Sequence, residues 1–166
     1  MNRWFRTKFV VVMTAVMVFG SVGLVMAQEA RKIDACGLLT PAEIKAAVGK
    51  EVTEGKLNEK ANPLVGQPCE YKVDGYGVFS ILVKTAAPGE TADNMIAELK
   101  KRHIAVSDAG AVGDRAFFSS PGYGMIQLNT FKGDKYLVIT MLIPGAAEAA
   151  QKTAAETLMK TALTKL

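Results

Sequence analysis

Two rhythms of apolar residues run along this chain, one of about 3.6 residues and one of two, and they mark out helices and strands in turn. In "LLTPAEIKAAVGK", Leu39, Ile44 and Val48 recur at helical spacing. Thr40 suits the N-cap and Pro41 the first helical position, Glu43 completes a capping box, and Gly49 can end the helix. The polar stretch that follows, "KEVTEGKLNEKANPLVGQP", predicts a short strand and a surface loop. "CEYKV" and "GVFSILVK" then alternate as strands, joined through "DGYG", where Asp74-Gly75 suits a tight hairpin or a longer four-residue loop.

"TADNMIAELKKRH" returns to helical spacing. Thr91 or Asp93 can cap it, Met95, Ile96 and Leu99 share a side, and Lys100-Lys101-Arg102 matches the negative end of the helix dipole. "DRAFFS" and "YGMIQLNTF" predict strands about the turn "SPG", and "KGDK" joins the second of them to "YLVITMLI", with Gly133 where a type II′ turn needs it. An Ala-rich helix over 146–163 closes the chain, with Glu148/Lys152 and Glu156/Lys160 spaced for mutual support. Strand, Pro-Gly, helix occurs twice, at Pro88-Gly89 and at Pro144-Gly145. Antiparallel strands interspersed with helices give an α+β fold, a sheet packed against helices.

Pairing across Gly133-Asp134 puts Ile126, Leu128, Thr130, Leu137, Ile139 and Met141 on one face, which should pack on helices. The opposite face carries Gln127, Asn129, Phe131 and Tyr136 together with Met125, Val138, Thr140 and Leu142. Apolar groups mixed with amides and hydroxyls suit a second packed layer, a partly solvated sheet, or a groove for a ligand or partner.

The start of the chain follows neither rhythm. Arg3, Arg6 and Lys8 precede an uncharged apolar run from Phe9 to Ala27, ending in "LVMAQEA". This predicts an export signal, residues 1–27, cut after Ala27 and followed by one secreted domain over 28–166; a retained run would instead anchor the chain to the membrane. The expected location is periplasmic or secreted. Removing residues 1–27 takes the net charge from +4 to +1 and removes the only tryptophan, Trp4. No concentrated basic surface for nucleic acid is therefore expected.

The two cysteines, Cys36 and Cys69, would lie in an oxidising compartment, which favours a disulfide. No C-x-x-C pair accompanies them, and one histidine, His103, adds little toward a metal or thiol site. We expect no metal and no cofactor. Ser119 and Ser120 lack a G-x-S-x-G frame and read as turn residues before Pro121-Gly122. The chain has neither a phosphate-cradling glycine loop nor an EF-hand loop. Asp114 in "VGDRAF" reads as a turn or cap residue, with a salt-bridge or binding role for Asp114-Arg115 as the alternative. No catalysis is expected. Tyr76 and Tyr123 each lie in a "GYG" turn, where a ring either folds back over the sheet or presents itself for contact.

The segment Cys36-Gly37-Leu38-Leu39-Thr40 with Glu43, then Cys69-x-Tyr71, then Gly113-Asp114-x-Ala116, resembles a broad group of small secreted or lipid-anchored bacterial proteins of unknown function. The resemblance spans about residues 35–142. It implies an envelope location, a Cys36–Cys69 bridge and a sheet-plus-helices domain similar to the Mog1/PsbP-like α/β/α sandwich, and it implies no reaction. The expected role is a non-catalytic binding or protein-interaction module, with an envelope protein or a small apolar or amphipathic ligand as partner. The candidate contact residues are Tyr76, Tyr123, Gln127, Asn129, Phe131 and Tyr136. The alternatives are an accessory subunit of an envelope complex and a small periplasmic hydrolase.

Overall fold

A computed structural model describes residues 33–62 and 65–166. The expected signal segment and its cleavage point lie outside these residues. A 3-10 turn, Ala35–Gly37, leads into helix α1, Pro41–Val48. The strands are β1 Lys56–Leu57, β2 Cys69–Val73, β3 Gly77–Thr85, β4 Ala105–Asp108, β5 Arg115–Gly122, β6 Met125–Lys132 and β7 Lys135–Leu142. Helix α2, Ala92–Lys101, separates β3 from β4, and α3, Glu148–Leu163, follows β7. All seven strands join one antiparallel sheet in the order β1-β2-β3-β7-β6-β5-β4. The α+β class is as expected.

One face of the sheet carries the main core. Tyr71, Phe79, Ile81, Leu137, Ile139, Met141, Ile126 and Leu128 are all buried there, with Leu158 and Met159 of α3 in the same cluster. The alanines Ala154, Ala155 and Ala162 are buried too, and small side chains let a helix lie close to a sheet. Helix α1 packs against α3, and Lys165 closes the join with an ion pair to Glu43 at 2.9 Å. In α1 both halves of the capping box form: Glu43 N–H donates to the Thr40 hydroxyl at 3.2 Å, and Thr40 N–H donates to the Glu43 carboxylate at 2.8 Å.

Cys36 and Cys69 are joined, with their Cα atoms 5.1 Å apart. Two positions along the same face of β2, the Tyr71 hydroxyl donates to the Leu39 carbonyl at 2.7 Å. The segment 36–39 is thus held to β2 twice, once covalently and once by a buried hydrogen bond. A disulfide is consistent with an oxidising, exported compartment.

The turns follow local chemistry except in two places. Between β6 and β7, Gly133 has a φ of 56° and Asp134 has no positive φ, as expected for a type II′ turn. Between β2 and β3 the loop is Asp74-Gly75-Tyr76, neither the two-residue nor the four-residue form expected. Between β5 and β6 the turn is Tyr123-Gly124 and not "SPG". Strand β5 continues through Ser119, Ser120 and Pro121, and a bulge between Ser119 and Gly122 takes up the extra residue. Pro121 lies one residue past the last pairing with β4, Ala105↔Ser120, so its missing N–H leaves no gap in that ladder. Ser119 is therefore a buried strand residue and not turn chemistry.

Beneath α3, Thr130 is fully buried, and among the described residues its hydroxyl has no hydrogen-bond partner. A buried hydroxyl without a partner is destabilising. Thr130→Val keeps the shape and removes the hydroxyl, so it is expected to raise the unfolding free energy by about 1 kcal/mol. Urea unfolding of the two proteins checks this, and a lower midpoint for the variant would refute it.

Candidate binding surfaces on the second face of the sheet

The second face is only partly covered. Helix α2 lies against β4 and β5, and Phe117 is buried on this side without belonging to the main core. The loop at 65–68 crosses β3, so close that a Cβ on Gly66 would lie 2.8 Å from Leu82. The layers are therefore helix, sheet and helix, with an open stretch of sheet between the loop and α2.

Register arranges this face in bands. Glu70, Ser80, Thr140, Gln127 and Ser119 are successive partners across β2, β3, β7, β6 and β5, forming one polar row. The row on one side includes Val78 opposite Leu142. The row on the other includes Leu82 opposite Val138, followed by Asn129 and Phe117. Lys84 lies opposite Tyr136, and Tyr136 opposite Phe131, in the last band.

The structure brings four of the expected contact residues together here. The Tyr136 hydroxyl donates to Asn129 Oδ1 at 2.7 Å, and Asn129 Nδ2 donates to Ser119 Oγ at 3.2 Å. Gln127 Nε2 donates to Thr140 Oγ1 at 3.3 Å. Phe131 lies against the Tyr136 ring, centroids 4.9 Å apart. Asn129 and Tyr136 are buried members of this network, while Gln127 and Phe131 remain half-exposed at its margin. Lys84 pairs with Glu90 at 2.8 Å, both largely covered, and its ammonium stands 5.5 Å from the Tyr136 ring centre. Sequence reasoning missed Ser119, Ser80 and this ion pair. The one available signal was the "FF" of β5: Phe117 and Phe118 are adjacent and both buried, which happens in a strand covered on both faces.

The remaining two candidates, Tyr76 and Tyr123, stand at one end of the sheet. They are 98% and 100% exposed, so neither ring folds back over the sheet. Their hairpins lie at the same end because Val78 at the start of β3 pairs with Leu142 at the end of β7, and Gly124 lies beside Leu142. From the topology the two tips are three strand spacings apart, about 14 Å. Both tyrosines have left-handed backbones, with φ of 64° and 55°. That conformation costs a bulky L-residue roughly 1 kcal/mol and suits Asn or Gly better. Tyr76→Asn and Tyr123→Asn are each expected to raise stability by about 0.5–1 kcal/mol in chemical denaturation. A loss of stability would mean that the rings serve the fold.

The other expected residues have structural places. Asp114 accepts from Gly133 N–H at 2.7 Å and from Lys132 Nζ at 2.7 Å. The Gly133 hydrogen bond, then that of Lys132, hold its carboxyl below the usual range. His103 follows the C-cap of α2, Arg102, with a left-handed φ of 57°, and is exposed. Among the described residues, no three His, Cys, Asp or Glu side chains are grouped to hold a metal ion, and no helix is long and apolar enough to cross a membrane.

Titration should be felt at both ends of the pH scale. The backbone hydrogen bond from Thr40 and the contact with Lys165 lower the Glu43 pKa. Burial raises that of Glu90, but hydrogen bonds from Lys84 and Ala87 N–H outweigh it and the net shift is downward. A lowered carboxyl contributes stability above its unfolded pKa, about 4.3, and that contribution is lost as the pH falls through the folded value. Burial, then nearby carboxylates, push Tyr71 up to about 12, and burial pushes Tyr136 up as well. A raised phenol holds its contribution below its unfolded pKa, about 10, and loses it as the pH climbs to the folded value. Thermal midpoints measured across pH are expected to fall below about pH 4 and above about pH 10. A midpoint that is flat from pH 9 to beyond 11 would contradict the alkaline arm.

No protein-family model, curated protein or solved structure matches this chain.

Proposed function

We propose that this chain is an exported, non-catalytic binding module of the cell envelope that contacts a protein partner through the tyrosine-tipped end of its sheet. One observation carries the reading: two fully exposed aromatic rings share an end of the sheet, each on a backbone that disfavours them. Stability does not account for that choice of residue, because Asn or Gly would serve both turns better. Tyrosine offers a large amphipathic contact at low conformational entropy, and strained residues collect where a surface is used. Val78, 43% exposed beside the first tip, extends the patch. Export is supported by the basic-then-apolar start of the chain and by the disulfide.

The test is photocrosslinking in the native envelope from residues placed at 76 and at 123, with Lys160, exposed on α3, as the control position. One discrete adduct common to 76 and 123 and absent at 160 is expected. No adduct at either tip, or an equal one at 160, overturns the reading.

A further inference from the structure

The open stretch of the second face is a trough, and its chemistry selects a ligand. Two depressions, of about 640 and 310 Å³, meet over Ser80 and Thr140, which both of them share. The larger is walled by residues 53–56 and opens beside Val78. The smaller runs under the 65–68 loop to Met95 of α2, over Leu82 and Val138.

Three features define what fits. First, the hydroxyls of Ser80 and Thr140 stand opposite each other on adjacent strands at the junction. Among the described residues the Ser80 hydroxyl has no partner, and the Thr140 oxygen accepts from Gln127 while its own proton is not donated. The junction thus offers two free donors to an acceptor oxygen. Second, the Leu82–Val138 row lies two residues further along the strands, about 7 Å away, and forms an apolar floor. Third, the floor carries no net charge. Among the described residues that line the smaller depression, the charged ones are Lys84 and Glu90, which neutralise each other. The larger depression is lined by two carboxylates, Glu54 and Glu70, and two lysines, Lys56 and Lys72, so neither sign is in excess there. A charged head would be desolvated at the junction with no excess of opposite charge to offset it, which is unfavourable.

The geometry points to a site for a neutral single-chain amphiphile with an ester or amide group: its carbonyl oxygen accepts from Ser80 and Thr140, and its alkyl arm lies over Leu82 and Val138 toward Met95. The site adjoins the tip patch at Val78, but its contacts, Ser80, Thr140, Leu82, Val138 and Met95, include neither tyrosine, so tip variants leave it intact.

The purified oxidised protein, titrated with monodecanoylglycerol and followed by amide chemical shifts, tests it. Saturable shifts centred on residues 78–84 and 136–142 are expected. Decanoate, with the same arm and a charged head, should bind at least tenfold more weakly, and glycerol should not bind. Ser80→Ala with Thr140→Val should weaken binding about tenfold, the equivalent of two ordinary hydrogen bonds. Val138→Phe, which fills the arm site, should abolish it, with the thermal midpoint confirming that both variants fold. Should Val138→Phe not fold, the hydroxyl pair alone decides. Equal binding of decanoate, shifts centred elsewhere, or unchanged affinity in the folded hydroxyl variant overturns the site.

Discussion

Replacing both Cys36 and Cys69 by serine is expected to lower the free energy of unfolding by about 3.5–4 kcal/mol, the chain-entropy value for a closed loop of about 34 residues. A domain of this size is stable by about 5–15 kcal/mol, so the loss is a large fraction of the whole. The bridge spans 33 positions and ties the 3-10 turn ahead of α1 to β2, the strand beside the short edge strand β1. The Tyr71–Leu39 hydrogen bond, the burial of Ala35, Leu38, Leu39 and Ile44, the packing of α1 on α3 and the Lys165–Glu43 pair would still hold that segment. Urea unfolding of the native protein with and without reductant gives the comparison: reduction should shift its midpoint as the double substitution does, and reductant should leave the variant unchanged. An unchanged midpoint after verified reduction would mean that the segment is held without the bond.

The same segment shows how much of the fold was readable in residues. Cys69 and Tyr71 are two apart and therefore on one face of β2, and both reach the 36–39 segment. The C-x-Y spacing is thus a pair of anchors to one target. Gly55 fits against them so closely that a Cβ would come within 2.6 Å of the Tyr71 ring and 2.7 Å of Cys69 Sγ. Nothing in the sequence around Gly55 signals that approach, because it depends on how the chain before β1 settles on β2. The β6–β7 hairpin was legible because a two-residue turn with Gly133 fixes register, and register fixes both faces. The β5–β6 turn was not. Pro-Gly is a strong turn signal, yet it lies in a bulge where β4 has already ended, and the length of β4 is a tertiary fact. Strand β4 itself, "AVSD", is four residues with little apolar pattern, paired on one side only.

The mixed second face was legible as mixed but not as a site. Alternation assigned Gln127, Asn129, Phe131 and Tyr136 to it, and they do share it. Which of them are buried depends on where α2 settles, and helix placement is not encoded in strand alternation. The polar row Glu70–Ser80–Thr140–Gln127–Ser119 exists only once five strands are in register.

Gly113→Ala should be nearly as damaging as loss of the disulfide, about 3 kcal/mol or more, through combined backbone strain and overlap. Gly113 has a φ of 65°, and a Cβ there would lie 2.6 Å from the Phe131 carbonyl oxygen and 2.7 Å from Thr130 Cγ2. The carbonyl belongs to a sheet strand and cannot rotate away, and it already accepts from Asp114 N–H at 2.8 Å. Relief would require β6 to shift, disturbing the turn at Gly133 that Asp114 holds through its carboxylate. Ala116, two residues after Asp114, is buried in the main core, so the displacement would be felt there as well. The sequence G-D-x-A therefore describes one mechanical unit: close approach, turn clamp, core contact. Asp114→Asn tests the middle part alone. It leaves the approach intact and removes an exposed charge and one of the two acceptor oxygens that Gly133 N–H and Lys132 use, so its unfolding midpoint should fall, but far less than that of Gly113→Ala. If the two variants unfold alike, the clamp outweighs the approach and the unit is misread.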